Sequence, residues 1–276
     1  MQSAKMTLRV FLENSFRVLR KFLFRVVSVG PIPSHVAFIM DGNRRYAKKH
    51  KLQLGSGHRI GLFTLMSMLK YCYELGVKYV SVYAFSVDNF NRRPEEVEFM
   101  MALMEEKIEE LLMEESIVNK FGVRIQFIGN LKLLKDSTRE AAGRAMAATA
   151  KNDNFVLLIC VAYTSTDEIM NAIQKSYNDK LCKLQGSSYS GIDQDFEITI
   201  TDIERHMCMS TTPEPDILIR TSGAKRLSNF LLWQSTNTCL YSPTVLWPEI
   251  SLWHLTWAVL KFQQVPQNFE KKKKQI

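Results

Sequence analysis

The chain has 276 residues, 46% of them hydrophobic, and a formal net charge of +8. That composition suits one large packed core and argues against a disordered chain, a collagen, a coiled coil or a small disulfide-stapled scaffold. The charge sits at the ends: residues 1–30 carry six basic groups against Glu13, residues 265–276 carry four lysines against Glu270, and 31–264 is neutral, so the body lacks the basic face that nucleic-acid binding needs.

In chain order, residues 8–26 place Leu8, Phe11, Leu12, Phe16, Leu19, Phe22, Leu23 and Val26 on one half of a helical wheel. Arg9, Arg17, Arg20, Lys21 and Arg25 fall on the other half, with Val10 and Phe24 as exceptions. This predicts a basic amphipathic helix, suited to an anionic membrane interface or to packing on the core. Gly30-Pro31-Ile32-Pro33 stops it. No run reaches the roughly 18 apolar residues of a spanning helix, and basic residues recur too often for a signal peptide. The expected organisation is therefore an amphipathic helix over 1–30, a body over 31–264 and a basic tail over 265–276.

From Ser34 onward, strand-like runs at 35–40, 79–85, 123–128, 155–162, 217–219 and 239–241 alternate with helical patterns. The helical stretches lie near 57–75, 95–120, 136–150, 166–178, 201–207 and 250–263, and 180–198 reads as a polar surface excursion. Such alternation predicts a single α/β domain with a mainly parallel central sheet flanked by helices. Ligands then bind beyond the carboxyl ends of the strands. Three of those ends carry polar residues: Asp41-Gly42-Asn43-Arg44-Arg45, Ser86 through Arg93, and Arg220-Thr221-Ser222-Gly223 with Arg226 and Ser228.

Arginine forks match phosphate oxygens, so Arg220, Arg226 and Ser228, with Arg92 at another strand end, point to a phosphate or diphosphate. Asp41 is the acid placed to hold Mg²⁺, which takes one or two carboxylates plus substrate phosphates; a helix N-cap is its other reading. His58, after Gly55-Ser56-Gly57, is either a phosphate donor or a polar cap. Neither a Walker A motif nor G-x-G-x-x-G is present. The apolar stripe of 95–120, rich in methionine, suits either core or the flexible wall of a long greasy ligand. The five cysteines are scattered without metal-type spacing, which favours a reduced environment.

Three ordered motifs then resemble the cis-prenyltransferases, of the dehydrodolichyl diphosphate synthase and rubber cis-prenyltransferase type. They are His35 through Ala47, Tyr83 through Phe90, and Asp216 through Gln234, and the resemblance runs from about Pro33 to Gln264. It implies the undecaprenyl diphosphate synthase fold and repeated condensation of isopentenyl diphosphate onto an allylic diphosphate such as farnesyl diphosphate, giving a long cis-polyprenyl diphosphate. Dolichol precursor is the favoured product and rubber the alternative; a non-catalytic accessory subunit is the rival reading.

By the same resemblance Asp41 holds Mg²⁺, Gly42, Asn43, Arg44, Arg45 and Tyr46 bind the allylic diphosphate with His58 nearby, and Arg220, Arg226 and Ser228 hold isopentenyl diphosphate. Asn89, with Ser86, matches the position of proton removal, although an amide is a poor base, and Arg92 matches a substrate contact. Three departures from the bacterial pattern stand out: Arg44 replaces Gly, Leu54 replaces a diphosphate-binding Arg, and Cys239 replaces a metal-completing Glu. Bacterial tails end in an R-x-G motif that residues 265–276 lack. The resemblance therefore implies a Nogo-B-receptor-like partner subunit supplying it, peripheral attachment to the cytosolic face of the endoplasmic reticulum membrane, and a helix over 95–120 one turn longer than in bacterial relatives.

Overall fold

The computed structural model describes residues 16–53, 55–113, 117–186 and 197–265. Its centre is a six-stranded sheet in the order β3-β4-β2-β1-β5-β6, built from β1 (His35–Ile39), β2 (Tyr79–Ser86), β3 (Val123–Ile128), β4 (Phe155–Tyr163), β5 (Ile217–Arg220) and β6 (Cys239–Tyr241). Every neighbouring pair is parallel. All five residues of β1 and all four of β5 are buried, as strands covered on both faces must be, which is why they read as continuous apolar runs without alternation.

The larger core lies on one face of the sheet, where α3 (Ser56–Leu75), α4 (Pro94–Leu112), α6 (Asp136–Ala148) and α9 (Leu252–Gln264) pack. The other face is covered by Met209, Phe230 and Leu231, near α7 (Ser165–Gly186) and α8 (Ile200–His206). At the amino end of β1, His35 is fully buried, with Nδ1 2.7 Å from the Pro213 carbonyl and Nε2 2.7 Å from Ser81 Oγ. Burial lowers its pKa to about 4, so this histidine is a neutral structural pin far from the strand ends that matter chemically.

The first helix, α1, spans residues 16–27, and the first half of the expected amphipathic segment lies outside the described residues. Phe24, off-pattern on the sequence wheel, is buried with Val27, and Leu23 packs with them on the main core. Arg20 clamps the same face through a two-pronged ion pair to Glu74 at 2.6 and 3.0 Å. Phe16, Leu19, Phe22 and Val26 nevertheless remain more than half exposed. The helix thus has two apolar faces, one docked and one bare, beside a basic stripe of Arg17, Lys21 and Arg25. Among the described residues no helix is long and apolar enough to cross a membrane.

Two helical expectations change. The single helix over 95–120 is two, α4 and α5 (Ile117–Phe121), because the chain turns extended at Met113. Glu109 and Glu110 sit at the carboxyl end of α4, where the helix dipole disfavours acids, and they pair with Arg144 and Lys107 respectively. Conversely, α7 runs to Gly186, into the stretch expected to be a surface excursion. Ser176 Oγ donates to the Asp202 carbonyl and Lys180 pairs with the Asp202 carboxylate at 3.2 Å, so α8 holds that part of the helix.

A short helix not expected from the sequence, α2 (Asn43–Lys49), follows β1 directly. It lies so close to the start of α3 that a Cβ on Gly57 would sit 2.1 Å from the Asn43 carbonyl oxygen, and one on Gly61 2.3 Å from Asn43 Oδ1. Only glycine permits this approach, and it brings α2, His58 and the end of β1 to one place.

Candidate active site

The chain leaves β1 towards β2 on one side and returns beside it as β5 on the other. The crevice beyond the carboxyl ends of these three strands is where an open parallel sheet presents its ligands. Asp41 sits at its centre. Its backbone carbonyl accepts from Thr221 Oγ1 at 2.6 Å and from the Trp247 amide at 3.0 Å. Its carboxylate accepts from Arg220 Nη2 at 2.8 Å and Arg45 Nη2 at 3.3 Å. Burial pushes this acid's pKa up, but Arg220, together with Ser222 and Arg45, outweighs that and holds it below the ordinary 3.8. The carboxylate is ionised at neutral pH, and it forms no cap bond to α2, whose N-cap is Gly42.

Arg220 is buried and organises the β5 side. Its Nη1 donates to the Arg226 carbonyl at 2.7 Å and to Ser228 Oγ at 2.6 Å, while Nε is buried with no partner among the described residues. Asn43 Oδ1 is in the same condition. Unsatisfied buried polar atoms are rare in folded proteins, and beside a cavity they are open to a bound ligand or water. From the β2 side, Arg92 pairs with Glu96 at 2.9 Å, and Glu96 also faces Arg44 at 3.7 Å. His58 is held neutral, its pKa lowered to about 4 by burial and by Arg92, with Glu96 opposing and Arg44 adding to the shift.

Ser86 and Asn89 cap the turn after β2. The Ser86 hydroxyl accepts from the Asp88 amide at 3.1 Å, and Asn89 Oδ1 accepts from the Ser86 amide at 3.2 Å. The Asn89 oxygen is therefore engaged, and what it turns to a ligand is its NH₂ group, a donor and not a base.

These residues ring one continuous opening. A polar vestibule of ≈ 750 Å³ is lined by Asp41, Gly42, Asn43, Arg44, Arg45, His58, Arg92, Ser222 and Arg226. It shares Asp41, Asn43, Arg44 and His58 with a deeper cavity of ≈ 450 Å³ that also meets Ser86, Asn89, Arg220 and Ser228. The deep part runs between α3, α4 and the sheet, over Leu62, Met66, Met100, Met104, Leu111 and Phe127. Beyond Leu111 and Leu157, the stacked rings of Tyr73 and Phe121, 4.4 Å apart, help close the far end.

Of the residues picked from sequence, the fold gathers all but one here. Tyr46 lines neither cavity; its ring lies 4.3 Å from that of His50. Cys239 also lines neither, packing against the core with Lys261 nearby, and Leu54 lies outside the described residues. Among the described residues no three His, Cys, Asp or Glu side chains cluster as a metal cage. Asp41, alone with diphosphate oxygens, is the donor set that suits Mg²⁺, which keeps waters and shares substrate phosphates.

Two contributors gain no role from the sequence. Ser222, one of the polar residues after β5, lines the vestibule. Glu168, buried in the first turn of α7, accepts from Tyr163 Oη at 2.6 Å, the Cys208 amide at 2.9 Å and Gln234 Nε2 at 3.0 Å. Beside it, the start of α7 grips Asn229: the Ser165 amide donates to its carbonyl at 2.8 Å and the Thr166 amide to its Oδ1 at 3.1 Å. Ser228, Asn229 and Leu231 all have positive φ, a conformation that non-glycine residues hold only when surroundings enforce it.

Comparison with known proteins fits this geometry. A family model described as undecaprenyl diphosphate synthase matches residues 39–270. Dehydrodolichyl diphosphate synthase 6 of Arabidopsis thaliana is 57% identical over 96% of this chain and 94% of its own length. The human dehydrodolichyl diphosphate synthase complex subunit DHDDS is 39% identical over 91% of this chain and 73% of its own. Lavandulyl diphosphate synthase from Lavandula x intermedia, solved with dimethylallyl diphosphate, superposes with a TM-score of 0.73 at 28% identity, over 84% of this chain and 95% of that one. Fold, strand-end chemistry and relatives agree: the chain belongs to the undecaprenyl diphosphate synthase family of cis-prenyltransferases.

Proposed function

We propose that this chain is the catalytic subunit of a cis-prenyltransferase that extends an allylic diphosphate with isopentenyl diphosphate into a long-chain polyprenyl diphosphate, the dolichol precursor. One observation carries the reading: three strand ends deliver a carboxylate and a set of arginines to the mouth of a deep apolar cavity. Such a site takes a molecule with a diphosphate head and a hydrocarbon tail. The allylic head lies at Asp41, Asn43, Arg44 and His58, and isopentenyl diphosphate at Arg220, Arg226 and Ser228. Asp41, with diphosphate oxygens, would hold Mg²⁺, and the ion would supply Lewis-acid stabilisation of the leaving group.

The chain's own residues do the rest. Arginine donors fixed before reaction stabilise charge that develops on the departing diphosphate. The apolar walls exclude water from the electron-poor allylic carbon. Asn89, whose Oδ1 accepts from the Ser86 amide, orients the second substrate through its NH₂ group, and the proton lost from that substrate goes to a diphosphate oxygen, since a carboxamide is a poor base.

The bare stripe of α1, flanked by Arg17, Lys21 and Arg25, supports peripheral attachment to an anionic membrane, here assigned to the cytosolic face of the endoplasmic reticulum. That the human relative is named as a subunit of a complex supports a partner, which we assign as a Nogo-B-receptor-like subunit carrying R-x-G. Turnover of labelled isopentenyl diphosphate, measured with and without such a partner on anionic vesicles, tests this. The expected result is at least a tenfold rise with the partner; equal turnover by the purified chain alone contradicts the partner assignment.

A further inference from the structure

Ser222 combines two unfavourable features at one position. Its φ is +73°, beside Gly223 at +70°, a left-handed conformation in which the second residue is the expected glycine and the first is not. Its Oγ is buried and meets no partner in hydrogen-bonding geometry among the described residues. The backbone cannot relax. The Ser222 amide donates to the Val245 carbonyl at 2.6 Å, the Gly223 amide to the Pro243 carbonyl at 2.8 Å, and Thr221 Oγ1 to the Asp41 carbonyl at 2.6 Å.

A glycine would fill this turn without strain and without an orphan hydroxyl, so packing gives no reason for serine. The surroundings do. Ser222 lines the vestibule with Asp41, Arg45 and Arg226. With no hydrogen bond of good geometry to hold the hydroxyl among the described residues, rotation about χ1 is enough to aim it at a neighbouring oxygen.

We propose that Ser222 is a substrate-binding residue whose hydroxyl donates to an oxygen of the diphosphate held at Asp41. The role rests on the diphosphate reading of the vestibule and adds a donor to it: Arg45 supplies charge from the solvent side, and Ser222 supplies a neutral, directional bond from the β5 side. No proton is transferred.

The test is calorimetric binding of farnesyl thiodiphosphate with Mg²⁺ to the full chain, together with thermal melting, for wild type, Ser222→Gly and Ser222→Ala. Glycine relieves the backbone and removes the hydroxyl; alanine keeps the backbone and removes the hydroxyl alone. Both variants are expected to bind about tenfold more weakly, as befits loss of one bond to a charged oxygen, while Ser222→Gly melts at or above the wild-type temperature. Binding within twofold of wild type in either variant overturns the proposal, as does weakened binding accompanied by a lowered melting temperature in both. A wild-type chain that binds no diphosphate overturns the reading of the site itself, and this inference with it.

Discussion

Replacing Arg220 with alanine is expected to lower turnover by about 10²–10³, the usual cost of removing a pre-positioned donor from developing oxyanion charge. The size follows from how much one side chain does. Arg220 joins Asp41 on β1 to the Arg226 carbonyl and Ser228 hydroxyl on the following loop, so its loss removes a ligand and releases the loop that carries the others. The pair with Asp41 is buried on the arginine side and 27% exposed on the other. Stability should therefore fall by about 1–3 kcal/mol, less than the 3–5 typical of a fully buried pair. Arg220→Lys keeps the charge but not the fork, and should recover stability far better than turnover. Steady-state rates and melting curves on the same preparations separate the two effects; an Arg220→Ala enzyme within threefold of wild type would contradict the assigned role.

Asp41→Asn should reduce turnover by about two orders of magnitude or more, since a neutral amide gives up the carboxylate that, alone among the described residues, lines the vestibule. It also has a signature in acid. The folded-state pKa of Asp41 is depressed below 3.8, so its pairing stabilises the fold above that pH and is lost as pH falls through the folded value. Wild-type stability should drop across that window, and Asp41→Asn should lack this part of the drop. Activity of Asp41→Asn at the wild-type level with an unchanged Mg²⁺ requirement would remove Asp41 from the site.

Much of this site can be read from the residues because it lies directly after strands. A buried parallel strand such as His35–Ile39 reads as an unbroken apolar run, and the polar residue that follows must emerge at the sheet's edge. That logic finds Asp41, Asn89 and Arg220 without knowledge of tertiary contacts. It fails for Glu168, whose partners include Cys208 and Gln234, 40 and 66 residues away in sequence; a single acid near the start of a helix pattern reads as an ordinary first-turn residue.

Ser222 is hidden for another reason, because positive φ at a non-glycine residue leaves no mark in composition. Phe24 shows the limit of periodicity itself. A wheel assumes one buried face, whereas α1 docks one apolar face on the core and leaves another bare. The break at Met113, where the backbone turns extended, leaves no mark in the apolar repeat that spans it. Tyr46 sits within the matching motif, and yet its position on α2 turns the ring to His50 and away from the cavity.

The central claim is that the vestibule activates an allylic diphosphate and the deep cavity houses a growing hydrocarbon chain. The most direct measurement supplies the chain, with its partner subunit and Mg²⁺, with farnesyl diphosphate and labelled isopentenyl diphosphate, then resolves the dephosphorylated products by chromatography and assigns their double bonds by NMR. The account predicts a ladder of long polyprenols in which every added unit is cis. Products that stop after one or two additions, or added units that are trans, would contradict it.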